Sequence, residues 1–162
     1  MVWGRNTEKS EEYSSYMMNL GFKVKICDSP KHVTDICNLI ITTTAATEPI
    51  LFADDIQPGT HITAMGSDTT AKQELDPNIM EKADCVVADS ISQCIMRGEI
   101  SHALRDRKLT KNNIVELGHV LNGQHPGRTA EDQITVADLT GVAVQDIQIA
   151  TAVYESFMEN ES

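Results

Sequence analysis

The hydrophobic pattern changes period repeatedly along the chain, and each change predicts an element. Residues 7–20, TEKSEEYSSYMMNL, set Tyr13, Tyr16, Met17 and Leu20 at spacings of three and four, one stripe of a helix that Gly21 ends. FKVKI at 22–26 alternates like a half-buried strand, and Pro30 to Asp35 suggests a short helix. NLIITTT at 38–44 is a continuous β-branched run, the pattern of a strand covered on both faces of a parallel sheet. Further strands are predicted at 61–65, 84–88 and 134–137, with Met1–Trp3 as the tail of another. A helix over 91–107 closes in SHALRDRK, whose basic residues suit a helix C-terminus. Residues 114–122 read as a strand running into a helical turn, 123–133 as a loop, and the stretch from Gly141 as a long helix.

Strands separated by helices imply parallel pairing with crossovers, hence a doubly wound α/β sheet. A chain of 162 residues is long enough for one domain with a real core. Its net charge of −11 speaks against nucleic acid as a partner, and against an anionic membrane surface. No apolar run approaches the roughly 20 residues of a membrane span, and MVWGRNTEKS has no signal-peptide core. Cys27, Cys37, Cys85 and Cys94 lie in or beside apolar runs with no CxxC pair, which reads as free thiols in a reducing cytoplasm. His32, His61, His102, His119 and His125 have no metal-like spacing, so no metal is expected.

In open α/β sheets, ligands bind outside the carboxyl ends of the strands. Three predicted strand ends carry unusual residues. Gly4, Arg5 and Asn6 follow the first; an arginine there suits the 2′-phosphate of NADP, and a surface arginine at a helix start explains it equally well. Thr42 to Pro49 could let a flat cofactor approach the backbone and offer hydroxyls, although β-propensity alone accounts for three threonines. Gly66-Ser67-Asp68 sets a carboxylate on a glycine turn, either as a general base or as a helix cap. Lys72 with Glu74 reads as a surface pair, and Arg97, Arg105, Arg107, Lys108 and Lys111 as a solvated face. The chain has no GxSxG, P-loop or GxGxxG.

Eight segments in this order resemble the second half of the ornithine cyclodeaminase/mu-crystallin family. They are VWGRN, IITTTAATEPIL, PGTHITAMGSD with KQELDP, VADS, RGEI, ELG, PGR and QITVADLTGVAVQD. ITAMGSD and QITVADLTG look nearest to its ectoine-utilisation branch. The resemblance implies a cytoplasmic enzyme using NAD or NADP on a small amino acid or cyclic imine. Ornithine-acting members oxidise an amine to an imine, close a ring and release ammonia; relatives reduce ketimines, dehydrogenate amino acids or only bind ligands. It implies Asp68 as the active-site carboxylate and Gly4, Arg5 and Asn6 at the adenosine end, with NADP favoured over NAD by the arginine. Thr43, Thr44 and Ala45 would lie beside the cofactor ribose, and Thr140, Gly141 and Val142 beside the nicotinamide.

The same resemblance implies an incomplete Rossmann-type sheet. Residues 1–140 would be part of the NAD(P)-binding domain, and 141–162 a helix packing toward a substrate and dimerisation domain in homodimeric relatives. VWGRN would end strand 2, so the chain starts after the central strand 1 and its glycine-rich turn. About five apolar residues at roughly 1.5–3 kcal/mol each, on the order of 10 kcal/mol together, rival the stability of a whole domain. A chain with these limits is expected to be marginally stable, and weakly active, inactive or a remnant of a broken gene.

Overall fold

The computed structural model describes residues 1–160. Five parallel strands form its sheet: β1 (Leu39–Thr42), β2 (His61–Ala64), β3 (Cys85–Ala88), β4 (Ile114–Glu116) and β5 (Thr135–Asp138). Their order is β1-β2-β5-β3-β4. The register is flush at the carboxyl ends, where Thr42, Ala64, Asp138, Ala88 and Glu116 pair across the sheet in one row. Every loop that leaves a strand therefore starts from the same edge.

CVVA of β3 is buried at all four positions, as a strand covered on both faces must be. Ile62, Val136, Ile79, Ile100 and Ala103 are fully buried between the sheet and its helices. Of these helices α3 (Pro77–Lys82) and α5 (Glu99–Arg105) pack on each other, α3 opening on an Asp76 cap with Pro77 behind it.

Two expectations are corrected. The helix over 91–107 is two: α4 (Ile91–Cys94) and α5, parted by Gly98 at φ +84°, a value that L side chains rarely adopt. The run at 38–44 is not covered on both faces: on edge strand β1, Ile40 and Thr42 are buried while Leu39 and Ile41 on the opposite face are 64% and 62% exposed. The helix predicted at 7–20 forms as α1 (Thr7–Asn19); its Tyr13, Tyr16 and Leu20 are exposed, and Ser10 and Ser14 are the buried positions.

The predicted strands at 1–3 and 22–26 reduce to a single parallel bridge, Val2 to Ile26, held by the Val2 amide on Lys25 at 2.9 Å and the Cys27 amide on Val2 at 2.8 Å. This pair stays apart from the sheet. A cleft of about 590 Å³ separates it from β1, with Val2, Trp3 and Tyr13 on one wall and Ile40 to Thr44 on the other. Among the described residues no strand fills it. The remaining helices are α2 (Pro30–Thr34), α6 (Leu117–Leu121) and α7 (Ala143–Asn160), and none of the described helices is long and apolar enough to cross a membrane.

Candidate functional site

The flush register brings three of the sequence-predicted stretches to one edge of the sheet. Thr43, Thr44 and Ala45 leave β1, Gly66 to Asp68 leave β2, and Thr140 to Val142 leave β5. Thr43 and Thr44 line the cleft opposite Trp3, while Ala45 is exposed beyond it. Gly4, Arg5 and Asn6 continue from the Trp3 wall to the start of α1, where Asn6 caps the helix by accepting the Lys9 amide at 3.0 Å. Arg5 beside it is exposed.

Asp68 is exposed two residues beyond Gly66, and its carboxylate receives Lys72 Nζ at 2.7 Å. That hydrogen bond, with the Arg97 guanidinium as a smaller influence, holds Asp68 below the ordinary carboxylate range. In this arrangement Asp68 is an ionised acceptor and a weak base. Ser67 is buried beneath it and donates to the Lys72 carbonyl at 2.6 Å; His102 Nε2 meets the same carbonyl at 2.8 Å.

Lys72 thus pairs with Asp68 and not with Glu74, which corrects the surface-pair reading of the sequence. Glu74 is wholly buried at the end of β1 and β2. Its carboxylate accepts from the Thr42 hydroxyl at 2.6 Å, the Gly66 amide at 2.9 Å and the Thr44 amide. Glu99 and Asp138 are buried to the same degree. Glu99 accepts the Glu74 and Leu75 amides at 2.7 and 3.1 Å, and Asp138 the Ile100 amide at 2.8 Å. Burial pushes Glu99 up to about 8 and Asp138 to about 7, against the lowering effect of these amides.

Near the other end of the edge, Asp89 accepts the Gly141 amide at 2.8 Å and the Thr140 hydroxyl at 3.3 Å. Thr140 is buried, Gly141 takes φ +82°, and Val142 is half-buried just before α7. The Cys94 thiol donates to Asp89 at 3.3 Å, and burial together with Asp138 pushes its pKa up to about 12, so it stays a thiol. No group of three or more metal-ligating side chains occurs among the described residues.

Sequence reasoning missed the three buried acids because isolated charges read as surface. A signal was present: Glu74, Glu99 and Asp138 each stand next to apolar residues, in QELD, GEIS and VADL.

Several known proteins are similar to this chain in sequence and architecture. An uncharacterised cyclodeaminase of Sinorhizobium fredii is 38% identical over 99% of this chain and 49% of its own. An archaeal alanine dehydrogenase dimer with bound NAD superposes with a TM-score of 0.91 at 30% identity, over 99% of this chain and 49% of that one. The Thermococcus litoralis Δ1-pyrroline-2-carboxylate reductase, in complex with NADH and L-proline, gives a TM-score of 0.90 at 25% identity, over 99% and 50%. The chain thus spans about half the length of these relatives. Its five-stranded parallel sheet is a Rossmann-like sheet of the kind found in those dehydrogenases. The sequence model of one family matches residues 1–161, and by that match the chain belongs to the ornithine cyclodeaminase/mu-crystallin family.

Proposed function

We propose that this chain is the nicotinamide-binding part of an enzyme that acts on the amine of a small amino acid, by oxidation to an imine, ring closure and loss of ammonia. The observation that carries the reading is the cleft. It sets Trp3 opposite Thr43 and Thr44 at the carboxyl edge, where a doubly wound sheet binds its ligand, and Asp68 leaves the adjacent strand.

The residues present fit a nicotinamide dinucleotide in part. Thr43 and Thr44 offer hydroxyls and an approachable backbone for a ribose, Thr140 to Val142 would border the ring, and Arg5 suits a 2′-phosphate and so NADP. The described residues contain no glycine-rich turn for the pyrophosphate. When bound, the cofactor accepts and returns the two electrons of amine oxidation. Asp68 holds the substrate ammonium by charge and, once Lys72 is displaced, takes a proton from its nitrogen.

Residues 1–140 would then be the cofactor domain, and α7 would pack toward a substrate and dimerisation domain of a cytoplasmic homodimer. ITAMGSD and QITVADLTG favour the ectoine-utilisation branch. The Lys72 contact supports a second reading. An aspartate held ionised suits a protonated imine, which points to a ketimine or imine reductase.

Trp3, the single tryptophan, lines the cleft and is the probe. Titration with NADPH or NADH should quench its emission and sensitise that of the cofactor, more strongly for NADPH. No transfer at millimolar cofactor would overturn the reading. Ammonia release without net cofactor change indicates cyclodeamination; net NAD(P)H consumption indicates reduction. Ligand binding with Asp68→Asn neutral in every assay would leave a binding protein.

A further inference from the structure

The three buried acids are arranged in series. Glu99 holds the backbone of Glu74 by its amide and that of Leu75, and the Glu74 carboxylate then holds Thr44 and Gly66. Asp138 in turn holds the first turn of α5, from which Glu99 projects, through the Ile100 amide. Asp138 also leads within two residues to Thr140, and its carbonyl accepts the amide of Asp89, whose carboxylate fixes Gly141. Each carboxylate therefore sets the backbone that carries the next one.

Two glycines make room for the series. A Cβ on Gly66 would collide with the Glu74 carboxyl and the Thr44 carbonyl. A Cβ on Gly98 would lie 2.7 Å from one Asp138 oxygen and 2.6 Å from the Thr140 methyl. At Glu74 the acid is chosen by donor arithmetic: its two oxygens receive three donors, so both must accept, and an amide side chain would turn an NH₂ toward an N–H.

We propose that Glu74, Glu99 and Asp138 are positioning residues, a chain of carboxylate-to-amide links that fixes the Thr43–Ala45 loop, the Gly66–Asp68 turn and the Thr140–Gly141 turn relative to one another. The proposal rests on the reading of those turns as the cofactor and substrate loops. It differs from local loop satisfaction in one respect: a change at one end is felt at the other.

The test is amide spectroscopy on the ¹⁵N-labelled 162-residue protein. Asp138→Asn touches neither Thr44 nor Gly66. It should shift the Ile100 amide, then those of Glu74 and Leu75, and make Thr44 and Gly66 exchange about tenfold faster. Changes confined to Ile100 and its neighbours would overturn the proposal. Should that variant not fold, hydrogen exchange of the unaltered protein decides. The amides of Thr44, Gly66, Glu74, Leu75 and Ile100 should open as one unit with one free energy. Thr44 and Gly66 opening separately from Ile100 would overturn it.

A parallel titration separates this from the functional reading. Glu99→Gln, which touches none of the three turns, should weaken NADPH binding about tenfold in the Trp3 assay. Coupled amides in a protein that binds no nicotinamide would sink the functional reading and leave the chain of links standing. Unaltered NADPH affinity beside uncoupled amides would sink the chain of links alone.

Discussion

Lys72 places its ammonium 2.7 Å from the carboxylate of Asp68, four residues earlier, on the turn that follows β2. The contact is open to solvent, so it governs the chemistry of Asp68 more than the stability of the fold. Lys72→Met should let the Asp68 pKa return upward toward the ordinary value, because the hydrogen bond from Lys72 is the largest cause of its depression. The loss of stability should be about that of an exposed ion pair, a few tenths of a kcal/mol. Carboxyl carbon titration by NMR reads the first effect and urea unfolding the second. An unmoved Asp68 titration would show that Arg97 or the turn backbone sets its acidity.

Glu99 and Asp138 give stability an unusual pH dependence. Their folded pKa values, about 8 and about 7, lie above the ordinary 4.5 and 3.8. The folded state therefore binds more protons than the unfolded state between those limits, and stability falls as pH rises through them. The Glu74 charge raises both groups further, and the Asp89 charge raises Asp138. Unfolding at pH 5.5 and pH 8.5 should show a loss at the higher pH on the order of a few kcal/mol. Glu99→Gln should flatten the profile at the cost of an amide acceptor. A midpoint that rises with pH would mean that the amides stabilise the anions more than burial opposes them.

Gly98 and Gly141 share nearly the same φ, +84° and +82°, but not the same surroundings. Gly98→Ala adds a collision with Asp138 and Thr140 to the left-handed strain and should cost more than about 3 kcal/mol. Gly141→Ala meets nothing within 4 Å and should cost about 1 kcal/mol, the strain alone. Thermal unfolding of the two variants side by side measures the difference. Equal losses would show that the space beside Asp138 relaxes freely.

The same glycine marks where the fold was legible in the sequence and where it was not. CVVA and HITA announced buried strands because β-branched runs between polar turns have few other uses. The break at Gly98 was hidden by helical periodicity on both of its sides, although a glycine inside a helix is itself a warning. The stripe of Tyr13, Tyr16 and Leu20 was a true helix signal, but a stripe says only that a face is apolar, not what covers it. For the site, the three loop positions could be read from strand ends, whereas the links between them could not. Glu74, Glu99 and Asp138 act through amides supplied by residues up to 38 positions away, and no local pattern encodes such partners.

The described apolar residues of α7 raise the same question of cover. Ile147, Ile149, Val153, Tyr154 and Phe157 are each more than half exposed along this 18-residue helix. Within this chain they contribute little burial, so their removal should leave the sheet intact. The double variant Val153→Glu, Phe157→Glu should keep the thermal midpoint within the change expected of surface sites, about 0.5 kcal/mol. It should also lower self-association at high concentration, because a contiguous apolar face drives association in water. Sedimentation velocity across a hundredfold concentration range, beside thermal unfolding, reads both effects. A large fall in the midpoint with association unchanged would show that α7 packs on its own sheet in solution. A fall in midpoint and association together would show that the folded state depends on a partner laid against this helix, as expected of a segment that meets another domain.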